Sequence, residues 1–480
     1  MTAASGTVRD VIHNYIYFTR SAGEGEVSEE TLLDSEWVQR LRQIFQLQTA
    51  WLIYPNAVHS RFQHSLGVMH LAGGMARGLY DGFREAFPRE EIPEKNHVEE
   101  VFRLAGLLHD IGHGPFGHLM DDVYTYPKYG KTHEDISAAV IKGELGEMIS
   151  RIRSSPGGRF SEPVDPDLIA RFIKMPGTLK GRPLWEQVFS KIMLGVCSAD
   201  AMDFLLRDQY FCGTSEFGRI NHRNIIDNLR ITRNGMTLRK PALPAFRTFL
   251  QTRLNMFRHV YMYEKNELYE LAFGRLLPGV LRSMRLGNPL KNLSRFRRIT
   301  DFGIHSEVAG WSSDTGEKGR IGREWRSLLA RKGKPYAKVF EEENFYHTLK
   351  ELSRMPGRKL LESELRNNYP GFREVRVMVL RNDIRMQNQF QAYGSVESLR
   401  ESDNVKALSL LDPESGEFAP GEGNRYIRDI PLKYEVVRVY ASGRKPEASR
   451  GKESLEQGEL FPDSAAYADE TGLRDDITSM

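Results

Sequence analysis

The apolar positions of this chain fall mostly at helical spacing. Between Glu29 and Thr49, the residues Leu32, Leu33, Trp37, Leu41, Ile44, Phe45 and Leu47 mark one helical face. Residues 61–80 predict another helix, carrying Gly67, Ala72, Gly73, Gly74 and Ala76. So many small residues lower helix propensity, which makes sense where neighbouring helices approach closely. Residues 98–111 are the most regular stretch, with Val98, Val101, Phe102, Ala105, Leu108 and Ile111 on one face. Gly112, Gly114 and Pro115 then break it. Thr132 reads as the N-cap of a helix beginning at His133. Residues 168–174, 185–194, 196–212 and 243–287 are also helical by pattern. At the start of the chain, residues 8–18 alternate as a short strand or hairpin arm.

After about residue 290 the pattern changes. Residues 300–330 suggest two short helices around a Gly-rich loop at 314–322. Residues 373–380, 404–411 and 434–441 alternate as strands, and 412–416 and 420–423 read as turns. Residues 443–480 are polar and poor in core residues, the composition of a disordered tail. The expected fold is therefore mainly α. A helical core spans residues 1–290, a helical then α+β region spans 291–442, and a tail spans 443–480.

Composition narrows the class of protein. A chain of 480 residues can bury a sizeable core. Hydrophobic residues make up 40% and the mean hydropathy is -0.48, as in a soluble globular protein. Lys and Arg number 67 against 64 Asp and Glu, a net charge of +3. That balance gives no argument for nucleic acid on charge alone. The basic stretch containing Arg282, Arg285, Lys291, Arg295, Arg297 and Arg298 reads first as a solvated helix face, and second as a contact for phosphates of an effector or a nucleic acid. Two cysteines, Cys197 and Cys212, make no disulfide framework and fit a reducing compartment. The opening MTAASGTVRD lacks a signal pattern, and no apolar run approaches the roughly 20 residues of a membrane span. A cytoplasmic protein without a membrane partner is expected.

The candidate chemistry lies in Leu107-Leu108-His109-Asp110-Ile111-Gly112-His113-Gly114-Pro115-Phe116-Gly117-His118. Eight of the 13 histidines fall between His59 and His133. His and Asp are ligands for divalent ions of intermediate hardness. His109 and Asp110 diverge by about 100° on an ideal helix, yet both can serve one ion at a helix end. His64 can supply a third ligand. Asp200 is the best candidate for a fourth, and its competing reading is an ion pair with Arg207 or another arginine. Asp200, Phe204 and Asp208 share one helical face at i, i+4 and i+8. Three acids on one apolar helix, Asp200, Asp203 and Asp208, are costly unless paired or ligating.

The segments HSRFQHS (59–65), LLHDIGHGPFGH (107–118), THE (132–134) and SADAMDFLLRD (198–208) occur in that order. Together they resemble the HD-domain metal phosphohydrolases, and most of all the deoxynucleoside-triphosphate triphosphohydrolase branch. The resemblance covers roughly residues 8–340. It implies an HD helical core and a divalent metal (Mn, Fe, Zn, Ni, Co or Mg) held by His64, His109, Asp110 and Asp200. It implies a catalytic pair, His113 and His133, with Asp121 as orienting carboxylate. Arg61, His118 and Arg253 resemble phosphate contacts, and Asp208 and Tyr261 resemble sugar contacts. Asp34, Gln39 and Arg42 match positions that read a regulatory nucleotide in vertebrate members, and a homo-oligomer is implied likewise. The implied reaction turns a deoxynucleoside triphosphate into deoxynucleoside and inorganic triphosphate. Ala201 and Phe204 depart from the lysine and tyrosine of vertebrate members. They keep open an HD phosphohydrolase acting on a nucleoside monophosphate, a cyclic nucleotide or a nucleic-acid end. A nucleotide-binding regulator with a structural metal is the reading of a different class.

Overall fold

The computed structural model describes residues 4–21, 25–174, 178–332, 336–393, 395–402, 404 and 406–443. The expected tail at 444–480 lies outside the described residues. The architecture is mainly helical, with a small α+β region towards the C-terminus.

Two helices set the frame, α1 (Arg61–Ala86) and α2 (Lys95–Leu108). α1 begins at a capping box in which Ser60 and Gln63 satisfy each other's backbone groups. It runs beyond the predicted end at residue 80. Its small residues do admit neighbours: a Cβ on Gly67 would strike Asp203, and one on Gly73 would strike Arg103. Gly74 faces open space, so that part of the expectation does not hold. α2 ends at Leu108, three residues before the predicted end, and His109 forms its C-cap.

The single helix expected from Glu29 to Thr49 is instead broken. Ser35 accepts a hydrogen bond from the Val38 amide and starts a new short helix, Glu36–Arg40. A local capping group thus overrides the apolar period. Phe45 then pairs with Ser60 as an isolated bridge, bringing residues 44–48 against the start of α1.

The alternation at residues 8–18 is a hairpin of β1 (Ala4–Asp10) and β2 (Asn14–Arg20), with Val8 opposite Ile16. Asp10 holds its turn by accepting from the amides of Ile12 and His13, both at 2.9 Å. Further helices that matter to the site are α3 (His133–Ala139), α4 (Ala199–Cys212), α5 (Leu243–Met256) and α6 (Glu264–Ser283). Thr132 caps α3 together with Asp135, as its sequence position suggested. One π-helical turn, Phe257–Tyr261, separates α5 from α6.

A short hairpin of β3 (Leu229–Thr232) and β4 (Gly235–Arg239) interrupts the helical part and was not legible as strand. The predicted Gly-rich loop at 314–322 is also mostly helical. α7 (Asp301–Gly310) is followed by α8 (Gly316–Leu329), in which Gly319 and Gly322 press against the backbone of Asp314 and of Trp311–Ser312. Likewise the turn expected at 420–423 opens a short helix, Pro420–Tyr426, with proline in its first turn.

The C-terminal sheet has β5 (Ala337–Tyr346) and β6 (Glu374–Asp383) on either side of β8 (Lys433–Ser442), all antiparallel. Of the predicted strand at 404–411, the described residues form β7 (Ser409–Leu411), parallel to β4, and an isolated bridge at Leu408. One apolar core runs from Ile16 to Val436, and within it Trp325 packs edge to face against both Phe116 and Phe273. Among the described residues, no helix is long and apolar enough to cross a membrane.

Candidate active site

Four side chains from three helices converge beside the start of α1. His64 Nε2 lies 3.2 Å from His109 Nε2, 3.1 Å from Asp200 Oδ1 and 3.9 Å from Asp110 Oδ2. His109 Nε2 lies 3.4 Å from Asp110 Oδ1 and 3.7 Å from Asp200 Oδ1. The other ring nitrogens point away. His109 Nδ1 meets the Gly106 carbonyl at 2.8 Å, and His64 Nδ1 meets Asp203 Oδ2 at 2.8 Å. Both rings thus turn Nε2 to the centre. Two imidazole nitrogens face to face with two carboxylates around them fit a divalent ion of intermediate hardness. His64, His109 and Asp110 alone form a cluster tight enough to hold one. Arg207 pairs with Asp203 and Asp10, so among the described contacts the alternative partner for Asp200 is not used.

Electrostatics follow from this crowding. Burial pulls His64 down, but the hydrogen bonds to Asp200 and Asp203 outweigh it and push it up to about 10. Burial works against ionised Asp110, yet Arg61, His109 and His113 hold it well below the usual carboxylate range. Arg61 is itself buried and bonded to Asp110.

A second cluster stands beside the first. The His113 ring stacks on His133 with centroids 3.7 Å apart, and His118 meets both rings edge on at 4.9 and 5.1 Å. Asp121 lies in a one-turn π-helical stretch, Asp121–Thr125. Such turns recur at functional sites because they re-aim a side chain. Asp121 Oδ2 takes the His133 ring at 2.5 Å and the His133 amide at 3.2 Å, while Thr125 donates to Oδ1 at 2.8 Å. Burial opposes the Asp121 charge, but His133 keeps it below the ordinary value. Burial, then Arg61, holds His113 well below the usual imidazole range and His118 at about 4. These two rings are neutral at pH 7. His113, His118, Asp121 and His133 are also close enough to hold an ion, although Asp121 is already engaged by His133 and Thr125.

Gly112 explains how the two clusters come together. A Cβ there would lie 2.2 Å from the His133 carbonyl oxygen. Its absence lets α3 start directly against the turn that follows Asp110. Arg40 anchors the same turn by donating to the His113 carbonyl at 2.7 Å.

Both clusters open into one cavity of about 580 Å³, which Arg61, His118, Asp208 and Tyr261 also line. Asp208 accepts from Tyr261 at 2.8 Å and sits 2.7 Å from His59 Nε2. Burial and the Asp208 charge push the Tyr261 hydroxyl well above its ordinary value, so it stays protonated and donates. Arg253 lies apart, in an adjoining cavity of about 620 Å³ with Ala201, Arg385 and Lys406; Asp200 and Phe204 line both cavities. The Arg253 guanidinium lies 5.1 Å over the Phe257 ring and makes long hydrogen bonds, 3.4 Å to Asn382 and 3.5 Å to the Asp383 carbonyl. Asp34, Gln39 and Arg42 line neither cavity. Gln39 bonds the Leu33 carbonyl and Arg42, and Arg42 lies 3.7 Å over the Phe62 ring, which holds that turn together.

Several residues of this neighbourhood carried no signal in the sequence. His59 was legible only as one of a crowd of histidines. Asp301 comes from α7 and accepts from the amides of Phe45 and Phe116, at 3.0 and 2.8 Å. Asp203 was visible as a costly buried acid, without an assigned role.

The family model of the HD domain matches residues 61–174, which span α1 to just past the second histidine cluster. This stretch of the chain is an HD domain. It is 29% identical over 275 residues to the uncharacterized protein YwfO of Bacillus subtilis, covering 56% of this chain and 54% of that protein. It is 25% identical over 302 residues to the deoxynucleoside triphosphate triphosphohydrolase SAMHD1 homolog of Dictyostelium discoideum, covering 62% and 54%. The chain thus spans about half the length of these relatives. The crystal structure of a hypothetical protein from Aquifex aeolicus superposes with a TM-score of 0.64 at 23% identity, over 92% of this HD-domain chain and 97% of that one. That likeness is one of fold.

Proposed function

We propose that this HD-domain protein is a metal-dependent nucleotide phosphohydrolase, and that its substrates are deoxynucleoside triphosphates. The observation that carries the reading is the Asp121–His133–His113 arrangement, which shares one cavity with the His64, His109, Asp110 and Asp200 donor set. A purely structural metal site has no use for a carboxylate-held imidazole beside it.

A divalent ion in the donor set supplies Lewis-acid polarisation of a phosphoryl oxygen. The protein's own groups do the rest. Water attacks the α-phosphorus, the bond from phosphorus to the 5′ oxygen breaks, and that oxygen needs a proton. His133 is suited to donate it, because Asp121 fixes the orientation and tautomer of its ring. His113, stacked on His133, and His118, edge on to it, are neutral and can donate hydrogen bonds to phosphate oxygens. Arg61 adds fixed positive charge at the same wall. Tyr261 and Asp208 offer a donor and an acceptor to a sugar hydroxyl. The polyphosphate tail would run past Asp200 into the adjoining cavity, where Arg253, Arg385 and Lys406 stand against Asp383.

One specific observation favours a second reading. Ala201 and Phe204 line that adjoining cavity and bring neither a cation nor a hydroxyl to it. A different phosphate ester, such as a nucleoside monophosphate, a cyclic nucleotide or a nucleic-acid end, would tolerate this.

Incubation with Mn, Mg or Co and a panel of dNTPs, NTPs, NMPs and single-stranded oligonucleotides decides between the readings. Inorganic triphosphate is the expected product. Orthophosphate or a nucleoside monophosphate would favour the second reading, and tight binding without turnover a regulator. His113→Ala should lower turnover about 10²- to 10⁴-fold while metal binding is retained. Full activity in that variant would overturn the catalytic assignment.

A further inference from the structure

The turn of the β1–β2 hairpin reaches the far side of the candidate metal centre. His13 is buried there, with Nε2 2.6 Å from Asp203 Oδ1. The other oxygen of Asp203 takes His64 Nδ1 at 2.8 Å. Arg207 completes the set, donating through Nε and one terminal nitrogen to the two Asp203 oxygens, each at 2.9 Å. Asp203 is fully buried, and four donors surround it. Arg207 in turn pairs with Asp10 at 2.8 Å, the residue that holds the hairpin turn by accepting from Ile12 and His13.

We propose that Asp203 and His13 are positioning residues of the metal centre, so that the N-terminal hairpin is a working part of it. The inference rests on the metal-site reading and needs no particular substrate. His64 can offer a lone pair at Nε2 only if its proton sits on Nδ1. The Asp203 carboxylate opposite Nδ1 fixes that tautomer and makes Nε2 a stronger donor to a cation. Asp203 can do this only while its own oxygens are fixed in direction. Arg207 holds it from one side, along α4, and His13 from the other, from outside the helical frame.

Gly67 is independent evidence that this approach is built in. It lies one turn beyond His64 on α1, and a Cβ there would fall 1.8 Å from Asp203 Oδ1 and 2.6 Å from Arg207 Nη2. Gly67 therefore opens the space through which the carboxylate reaches His64. The close approach costs helix propensity, roughly 1 kcal/mol relative to alanine.

The test is the affinity of the full chain for Mn alone, measured by calorimetric titration or by the EPR signal of free Mn, with the melting temperature of the metal-free protein as a check on folding. Asp203→Asn should weaken Mn binding about 10- to 100-fold. His13→Ala should weaken it several-fold, and His13→Gln, which keeps an N–H donor, should recover most of that loss. A merely structural hairpin would lower the melting temperature in both His13 variants without this split in affinity. If Asp203→Asn fails to fold, the His13 pair still decides. His13→Ala with wild-type Mn affinity would overturn the part given to the hairpin, and a folded Asp203→Asn with wild-type affinity would overturn the whole proposal. A wild-type chain that binds Mn but hydrolyses no nucleotide would refute the proposed function and leave this inference standing.

Discussion

Asp301→Asn is the substitution whose effect can be worked out furthest. Asp301 is fully buried and serves two loops, accepting the Phe45 amide at 3.0 Å and the Phe116 amide at 2.8 Å. Phe116 has a φ of 61°, a left-handed conformation that a bulky residue keeps only when its surroundings hold it there. Burial pushes the Asp301 carboxyl up from 3.8 to about 7, against the pull of the two amides, Arg61 and Arg40. The folded state therefore keeps a proton up to about pH 7, while the unfolded chain loses it near pH 4. Between these values the native state binds more protons, so this group's contribution to stability falls as pH rises through that window. A shift of about three pKa units corresponds to roughly 4 kcal/mol. Asparagine does not titrate, but it loses one acceptor and sets its amide donor against a backbone N–H, at a cost of about 1–3 kcal/mol. Wild type should therefore exceed the variant most at pH 4.5, and the gap should shrink by about 3 kcal/mol by pH 8, since part of the window lies below pH 4.5, reversing sign if the lost acceptor costs little. Urea unfolding of both proteins at pH 4.5, 6, 7 and 8 measures this. A difference that stays constant across the series would refute the reasoning, because it would mean that Asp301 is ionised throughout.

Lys191 offers the opposite sign. Burial pulls it down from 10.5 to about 7, and its amine donates only to the Ala407 carbonyl, at 2.5 Å, among the described hydrogen bonds. The unfolded chain binds the extra proton between these values, so stability on this account rises with pH from about 7 to about 10.5. Lys191→Met should raise the melting temperature at pH 6, and the gain should fade by pH 9; no gain at pH 6 would contradict the assignment. Gly112→Ala places a Cβ against the His133 carbonyl and Ser137. It should destabilise the fold by about 1–3 kcal/mol and, on the proposed reading, lower turnover by separating α3 from the candidate metal ligands, with Mn binding largely kept. Unchanged turnover would show that the close contact is unimportant.

Much of the helical frame was legible from the apolar period, although α2 is buried on every side from His97 to Leu108 and its polar residues Glu99, Glu100 and Arg103 lie inside with the apolar ones. Reading failed where a local group or a long-range partner decided the outcome. Ser35 splits the 29–49 stretch by capping a new turn, although the apolar spacing runs straight through it. β5 drew no strand expectation, and Glu341, Glu342 and Glu343 interrupt any apolar alternation along it. In the sheet, Glu341 pairs with Arg438, and Glu343 takes Arg258 and the Tyr434 hydroxyl. Cross-strand partners decide that strand, and no local pattern encodes them. The glycines of α8 misled in the same way, since they serve close packing rather than a loop.

The site divides along the same line. The donor set could be proposed from residue types and order, because ligand chemistry restricts the choice to His and Asp in a few segments. The supports of that set could not, because each is an ordinary residue made special by where the fold carries it. Asp203 reaches His64 through the gap at Gly67, His13 arrives from a hairpin, Arg40 holds the His113 carbonyl and Asp301 arrives from α7. The departures at Ala201 and Phe204 acquire a location in the same way. Both line the cavity beyond Asp200, and Phe204 also lines the one that Asp208 and Tyr261 share, its ring 6.0 Å from that of Tyr261. On the proposed reading, the departure at Ala201 bears on the phosphate tail, and the one at Phe204 bears on both the tail and the sugar. The phosphate product therefore reports on the surroundings of Ala201, whereas the choice between ribo- and deoxyribonucleotides reports on Phe204 and Tyr261.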